Sequence, residues 1–169
     1  IFSKLHTSSS TAKAYAIGTA GATFTNMTSN FNDLFVGGTN PFVGQTGGLG
    51  VAGTDRSTLA GWQTATGKDA SSISADPQFT SITNLHISRT VPGTPSPIEN
   101  FAGAAIGVIT NDFDNEPRVN PPDIGAEEVT TVQFSSATYS VAENGGLVTI
   151  TVTRSAGSTT SAAINYATS

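Results

Sequence analysis

Three acidic residues alternate in the stretch Asn-Asp-Phe-Asp-Asn-Glu, at Asp112, Asp114 and Glu116. Alternation along an extended loop turns every second side chain to the same side. Three carboxylates there could converge on a calcium ion, with Asn111 and Asn115 adding oxygens. Calcium takes about six to eight oxygen ligands, and the stretch lacks the glycine and distal glutamate of an EF-hand. The same residues also suit a solvated loop whose aspartates pair with Arg118 or accept backbone amides.

Catalytic groupings are scarcer. The two histidines, His6 and His86, lie far apart in the chain, Lys68 and Asp69 sit near the end of an expected helix, and Arg89 sits near a loop. There is no Ser-His-Asp grouping, glycine-rich phosphate loop or metal-binding histidine pair. No Asp/Glu pair has the local setting of a glycosidase dyad. The expectation is that the chain is not an enzyme. The phenylalanines Phe24, Phe31, Phe35, Phe42, Phe79 and Phe101 could stack on sugar rings, but their spacing favours internal stacks in a core.

Composition restricts the elements that can position these groups. Only 11% of the 169 residues are charged, while glycine is abundant. Long helices draw on Glu, Lys, Leu and Arg. Small polar and β-branched residues favour strands and turns, so an all-β, loop-rich chain is expected. The net charge of −5 opposes binding to nucleic acid. No apolar run reaches bilayer-spanning length, so no membrane insertion is expected. Without cysteine, disulfides and thiolate metal sites are excluded. Low lysine with Ser, Thr, Gly and Asn richness points to a bacterial exterior. A start at Ile1 rather than Met fits a processed product or a longer parent.

Along the chain, residues 1–32 read as short extended pieces between polar turns, with an Asn26-Met27-Thr28 sequon. Short apolar cores follow at Leu34-Phe35-Val36, Phe42-Val43 and Leu49-x-Val51, broken by Gly and Asn-Pro. Such spacing suits stacked coils. Residues 55–69 predict one short helix, with Ser57 as N-cap, Leu59 and Trp62 on one face and Gly67 as the stop. Strands are predicted at Gln78–Phe79 and 84–87, with Leu85 and Ile87 inward and His86 outward. The stretch 92–97, Pro-Gly-Thr-Pro-Ser-Pro, reads as a loop. Beyond 129–131 the texture changes to clean alternation. Val148, Ile150 and Val152 share one strand face, preceded by Phe134, Tyr139, Val141 and a turn at 143–146. A further strand begins in 162–168.

Two resemblances abut. The runs TLAGWQTATGKDASSISADPQF, NLHISRTVPGTPSPIEN and DFDNEPRVNPPDIGAEE carry a tryptophan-bearing helix, Asp76-Pro77-Gln78-Phe79, Ser96-Pro97-Ile98-Glu99 and the 123–128 run Asp-Ile-Gly-Ala-Glu-Glu in order. In this respect residues 59–128 resemble the C-terminal coils of secreted bacterial right-handed parallel β-helix proteins of the choice-of-anchor Q type. Glu99 stands where that family has Asp. Residues 132–169 resemble the first part of a Calx-beta domain, an immunoglobulin-like sandwich. The matching residues are Phe134, Tyr139, Val141, Glu143, Gly146, Thr151-Val152, Arg154 and Asn165-Tyr166-Ala167-Thr168. The second resemblance implies calcium bound by carboxylates on loops at one end of the sandwich, with Glu143 at a ligand-region position.

The expected architecture is therefore all-β. Residues 1–129 form the end of a right-handed parallel β-helix, and 130–169 form an incomplete Calx-beta sandwich. Half a sandwich leaves an apolar face and unpaired strand edges. These would be resolved by packing on the last coil, by a strand from another subunit, or by further residues of a longer domain, which is the favoured reading. The expected function is that of a non-catalytic structural or adhesive module of a large extracellular bacterial surface or secreted protein. Its partners would be other copies or modules of that protein, and glycans. Two alternatives are the C-terminal fragment of a polysaccharide lyase-like β-helix enzyme with upstream catalytic coils, and a subunit of an extracellular filament closed by strand addition.

Overall fold

The computed structural model describes residues 2–6, 11–88, 95–99, 101, 103, 107–129 and 131–155. Arg89, the strand expected in 162–168, residues 92–94 of the expected loop, Thr130 of the expected boundary and the side chain of His6 lie outside the described residues. The chain is β-rich, with one α-helix among the described residues.

Alternating short apolar runs produce strands β1 (Phe2–His6), β2 (Ala14–Gly18), β3 (Leu34–Gly38) and β4 (Pro41–Thr46). β1 pairs in parallel with β3, Phe2 beside Leu34 and His6 beside Gly38. β2 pairs in parallel with β4, Ala14 beside Pro41 and Gly18 beside Gln45. Two consecutive strands of one pass of the chain are thus matched by two consecutive strands of the next. A third pass joins through a parallel bridge of Asp33 with Ile73. There the Leu34 amide donates to Ile73 O at 2.8 Å, and the Ile73 amide donates to Asn32 O at 2.8 Å.

Leu34 of β3 and Val43 of β4 are buried and pack with Trp62. Partly buried Ala16, Ile17, Met27 and Leu59 cover this cluster. Trp62 comes from helix α1 (Leu59–Thr66). Thr58, not Ser57, caps it, its Oγ1 accepting the Gly61 amide at 3.1 Å. Gly67 ends the helix in the left-handed region at φ 66°, and its amide donates to Gln63 O at 2.8 Å. The expected helical segment also begins later than 55. Strand β5 (Thr54–Arg56) instead pairs antiparallel with β4, and the Arg56 guanidinium donates to Thr46 Oγ1 at 3.1 and 2.9 Å. Gly44 lies in mid-strand because the indole rests on it: a Cβ there would sit 2.5 Å from Trp62 Cε3.

Several other expectations are revised. The six phenylalanines do not form an internal stack. All are partly or largely exposed, with Phe31 at 40% and Phe101 at 37%. Phe42 is partly exposed and packs on Tyr15 of the neighbouring strand, ring centroids 5.6 Å apart. Leu49 and Val51 are exposed, Leu49 preceding and Val51 lying within a 3₁₀ turn (Gly50–Ala52), rather than forming a strand. The Gln45 side chain holds that turn, accepting the Gly50 amide at 2.8 Å and donating to Gly50 O at 2.7 Å. The strands expected near 78–79 and 84–87 reduce to one antiparallel bridge between Phe79 and Ile87, and Leu85 is exposed.

Beyond 130, β6 (Thr131–Phe134) pairs antiparallel with β7 (Val152–Ser155), Phe134 beside Val152. The Tyr139 hydroxyl donates to Thr151 O at 2.8 Å, and Gly145 N–H closes a turn onto Ala142 O at 2.7 Å. The expected strand through Val148 and Ile150 is not formed. Both stay about half exposed, because an alternating pattern becomes a strand only when a ladder partner and a covering layer are present.

Candidate functional site

The loop from Asn111 to Pro117 closes through an antiparallel bridge between those residues. Asp112 organises it. Its Oδ1 accepts the amides of Asp114 at 2.9 Å and Glu116 at 2.7 Å, and its Oδ2 accepts the Glu128 amide at 3.0 Å. Both Asp112 oxygens thus serve the backbone, the second of the two arrangements open to this sequence. Glu116 is buried, and its Oε1 lies 3.8 Å from Arg154 Nη2. Glu143 sits in the exposed turn of the 131–155 segment. Of the proposed calcium ligands, Asp114 alone reaches a convergent group, and its partners there are different residues.

The 123–128 motif builds the opposite wall. Glu128 is buried, its Oε1 accepting the Val119 amide at 3.2 Å and its Oε2 the Asp123 amide at 3.2 Å. Arg118 Nη1 lies 3.3 Å from Glu128 Oε2, so Arg118 pairs with Glu128 rather than with the loop aspartates. Burial raises the Glu128 carboxyl above its ordinary range. The Phe113 amide donates to Ala126 O at 2.8 Å, tying this segment to the acidic loop. Glu127, between Ala126 and the anchored Glu128, is thereby held beside Asp114.

The third contributor is the turn after Phe79. The Thr80 amide donates to His86 O at 2.8 Å, and the Ser88 amide donates to Gln78 O at 2.6 Å. His86 Nε2 lies 2.6 Å from Asp114 Oδ2 and 3.9 Å from Glu127 Oε2, while Nδ1 meets Asn84 Oδ1. One donor atom from each of His86, Asp114 and Glu127 lies within 4.8 Å of the other two. The Asp114 hydrogen bond, followed by the charge of Glu127, raises the imidazole pKa. Burial raises that of Glu127. A groove of about 600 Å³ opens beside the trio, lined by Phe79, Leu85, His86, Phe113, Gly125 and Glu127. The group offers one imidazole nitrogen and two carboxylates, a donor set able to hold a divalent cation or exchange a proton. Sequence reading took His86 as an outward residue without a partner and did not single out Glu127.

No described helix is long and apolar enough to cross a membrane. Comparison with protein-family models, curated proteins and solved structures gave no match to this chain.

Proposed function

We propose that the chain is a non-catalytic structural and adhesive module of a large extracellular bacterial surface or secreted protein. In this reading residues 1–129 are the closing coils of a right-handed parallel β-helix, and 130–169 begin a Calx-beta sandwich. The observation that carries it is the pairing of consecutive strands in parallel, β1 on β3 and β2 on β4, with Ile73 continuing the stack beneath Asp33. Parallel neighbours linked through an intervening strand and loops, rather than a crossover helix, are what a coil produces. Exposed side chains on such a stack form a surface suited to repeated weak contacts with glycans and neighbouring modules. The partly exposed Tyr15–Phe42 pair, with Lys13 Nζ 5.5 Å from the Phe42 centroid, is one such surface.

Binding of the chain to a panel of immobilised neutral and acidic polysaccharides, with product release assayed in the same wells, tests the reading. Retention on at least one glycan is expected, without new reducing ends or unsaturated uronates. Release of either product by the pure chain would favour a carbohydrate-active enzyme, and no retention on any glycan would contradict the adhesive role.

A further inference from the structure

We propose that His86, Asp114 and Glu127 bind a divalent transition-metal ion of the zinc class, leaving a coordination position open to the adjoining groove. Tetrahedral zinc with bonds of about 2.0–2.1 Å separates its ligand atoms by roughly 3.3 Å. His86 Nε2 stands 2.6 Å from one carboxylate oxygen and 3.9 Å from the other, so the present spacings straddle that value. Small rotations of two partly exposed carboxylates bring all three donors into range.

Asn84 supplies the supporting contact. Its Oδ1 faces His86 Nδ1, and an Nδ1–H donated to that oxygen leaves the Nε2 lone pair for the metal. The Asn84 Oδ1 also accepts the His86 amide at 3.1 Å, so one side chain fixes both backbone and ring. The carboxylates of Asp112 and Glu116 act on Glu127 through their charge, making the site electronegative.

Ligand type selects the ion. Imidazole with carboxylate suits zinc and its neighbours, whereas calcium needs about six to eight oxygens. Of the loop's other carboxylates, Asp112 gives both oxygens to backbone amides and the buried Glu116 faces Arg154. Three protein ligands leave a fourth position, as at zinc sites that accept water or an external ligand. His86 and Glu127 also line the groove, so a ligand oxygen entering it can occupy that position. This inference is independent of the adhesive reading.

Isothermal titration of the metal-stripped full chain with zinc chloride, and separately with calcium chloride, tests it. One zinc per chain is expected, bound more tightly than calcium. His86→Ala and Glu127→Gln are each expected to weaken zinc binding by tenfold or more, and Asn84→Ala by about tenfold. Cobalt substitution should give a visible absorption band that His86→Ala removes. His86 and Asn84 are exposed, so far-UV circular dichroism should be unchanged in their variants. Absence of saturable zinc binding, unchanged affinity in folded His86→Ala, or a preference for calcium would each overturn the site.

Discussion

Trp62→Ala is expected to lower the unfolding free energy by about 3–5 kcal/mol, the usual cost of deleting a fully buried large aromatic side chain. Trp62 has no exposed surface and is the largest fully buried side chain among the described residues. It also anchors a polar hub. Its Nε1–H donates to Asp69 Oδ2 at 2.8 Å. The other Asp69 oxygen accepts from Ser29 Oγ at 2.9 Å, Asn32 Nδ2 at 2.9 Å and Ser72 Oγ at 2.8 Å. Asp69 therefore ties α1 to the two adjacent passes of the chain at 29–32 and 69–72. Burial acts to raise the Asp69 pKa, but the donors from Asn32, Trp62, Ser72 and Ser29 outweigh it and hold the carboxyl below its ordinary value. The carboxylate stays charged, so removing a donor leaves a buried charge short of a partner.

Trp62→Phe separates the two contributions. It retains most of the packing and loses the indole N–H, with an expected cost of about 1–3 kcal/mol. Urea midpoints for wild type and both variants check the order. A Trp62→Ala cost below about 1 kcal/mol, where exposed substitutions fall, would place the core elsewhere.

The second large effect concerns pH. Asp33 is fully buried, its Oδ1 accepts the Ala75 amide at 3.1 Å, and its Oδ2 has no hydrogen-bond partner among the described residues. Burial raises this carboxyl from 3.8 to about 6. The folded chain thus holds a proton that the unfolded chain has released between pH 3.8 and about 6. Stability falls as pH rises through that window, because the native state binds more protons. The contribution is intact below 3.8 and lost above about 6, with a full span of about 3 kcal/mol. Glu127 and Glu128 shift in the same direction, and Asp55 and Asp69 in the opposite one. The difference between wild type and Asp33→Asn isolates the Asp33 share. The variant should gain relative stability as pH rises from 4 to 7, read from urea midpoints at each pH. A constant difference across that range would show that Asp33 ionises normally in the fold.

Local pattern made part of this structure legible. Leu34-Phe35-Val36 and Phe42-Val43 are strands, as short apolar runs bounded by Gly and Asn-Pro lead one to expect. Gly67 ends α1 because the left-handed conformation there favours glycine. Asp112 captures backbone amides within its own loop, an arrangement readable from the chain alone. Other features depend on partners distant in sequence. Ser57 and Thr58 are both competent caps, and the choice between them follows from where Leu59 and Trp62 dock. Leu49 and Val51 have the composition of a strand, yet Gln45 draws Gly50 into a turn. His86 meets Asp114 across 28 residues of chain, and no local spacing announces that meeting. Glu127 reaches the site because Glu128 and Ala126 are bonded on either side of it.

The stacking of successive passes of the chain is the central claim, and a designed cross-link tests it most directly. Tyr15 and Phe42 are partners on adjacent parallel strands, and such neighbours lie about 4.8 Å apart, within the Cα separation a disulfide spans. The chain contains no cysteine, so any bridge in the Tyr15→Cys, Phe42→Cys double variant is the designed one. Mild oxidation of the folded monomer followed by non-reducing peptide mapping is expected to give an intramolecular 15–42 disulfide in most molecules. Persistent free thiols in folded, oxidised protein would contradict the parallel register and the stack built on it.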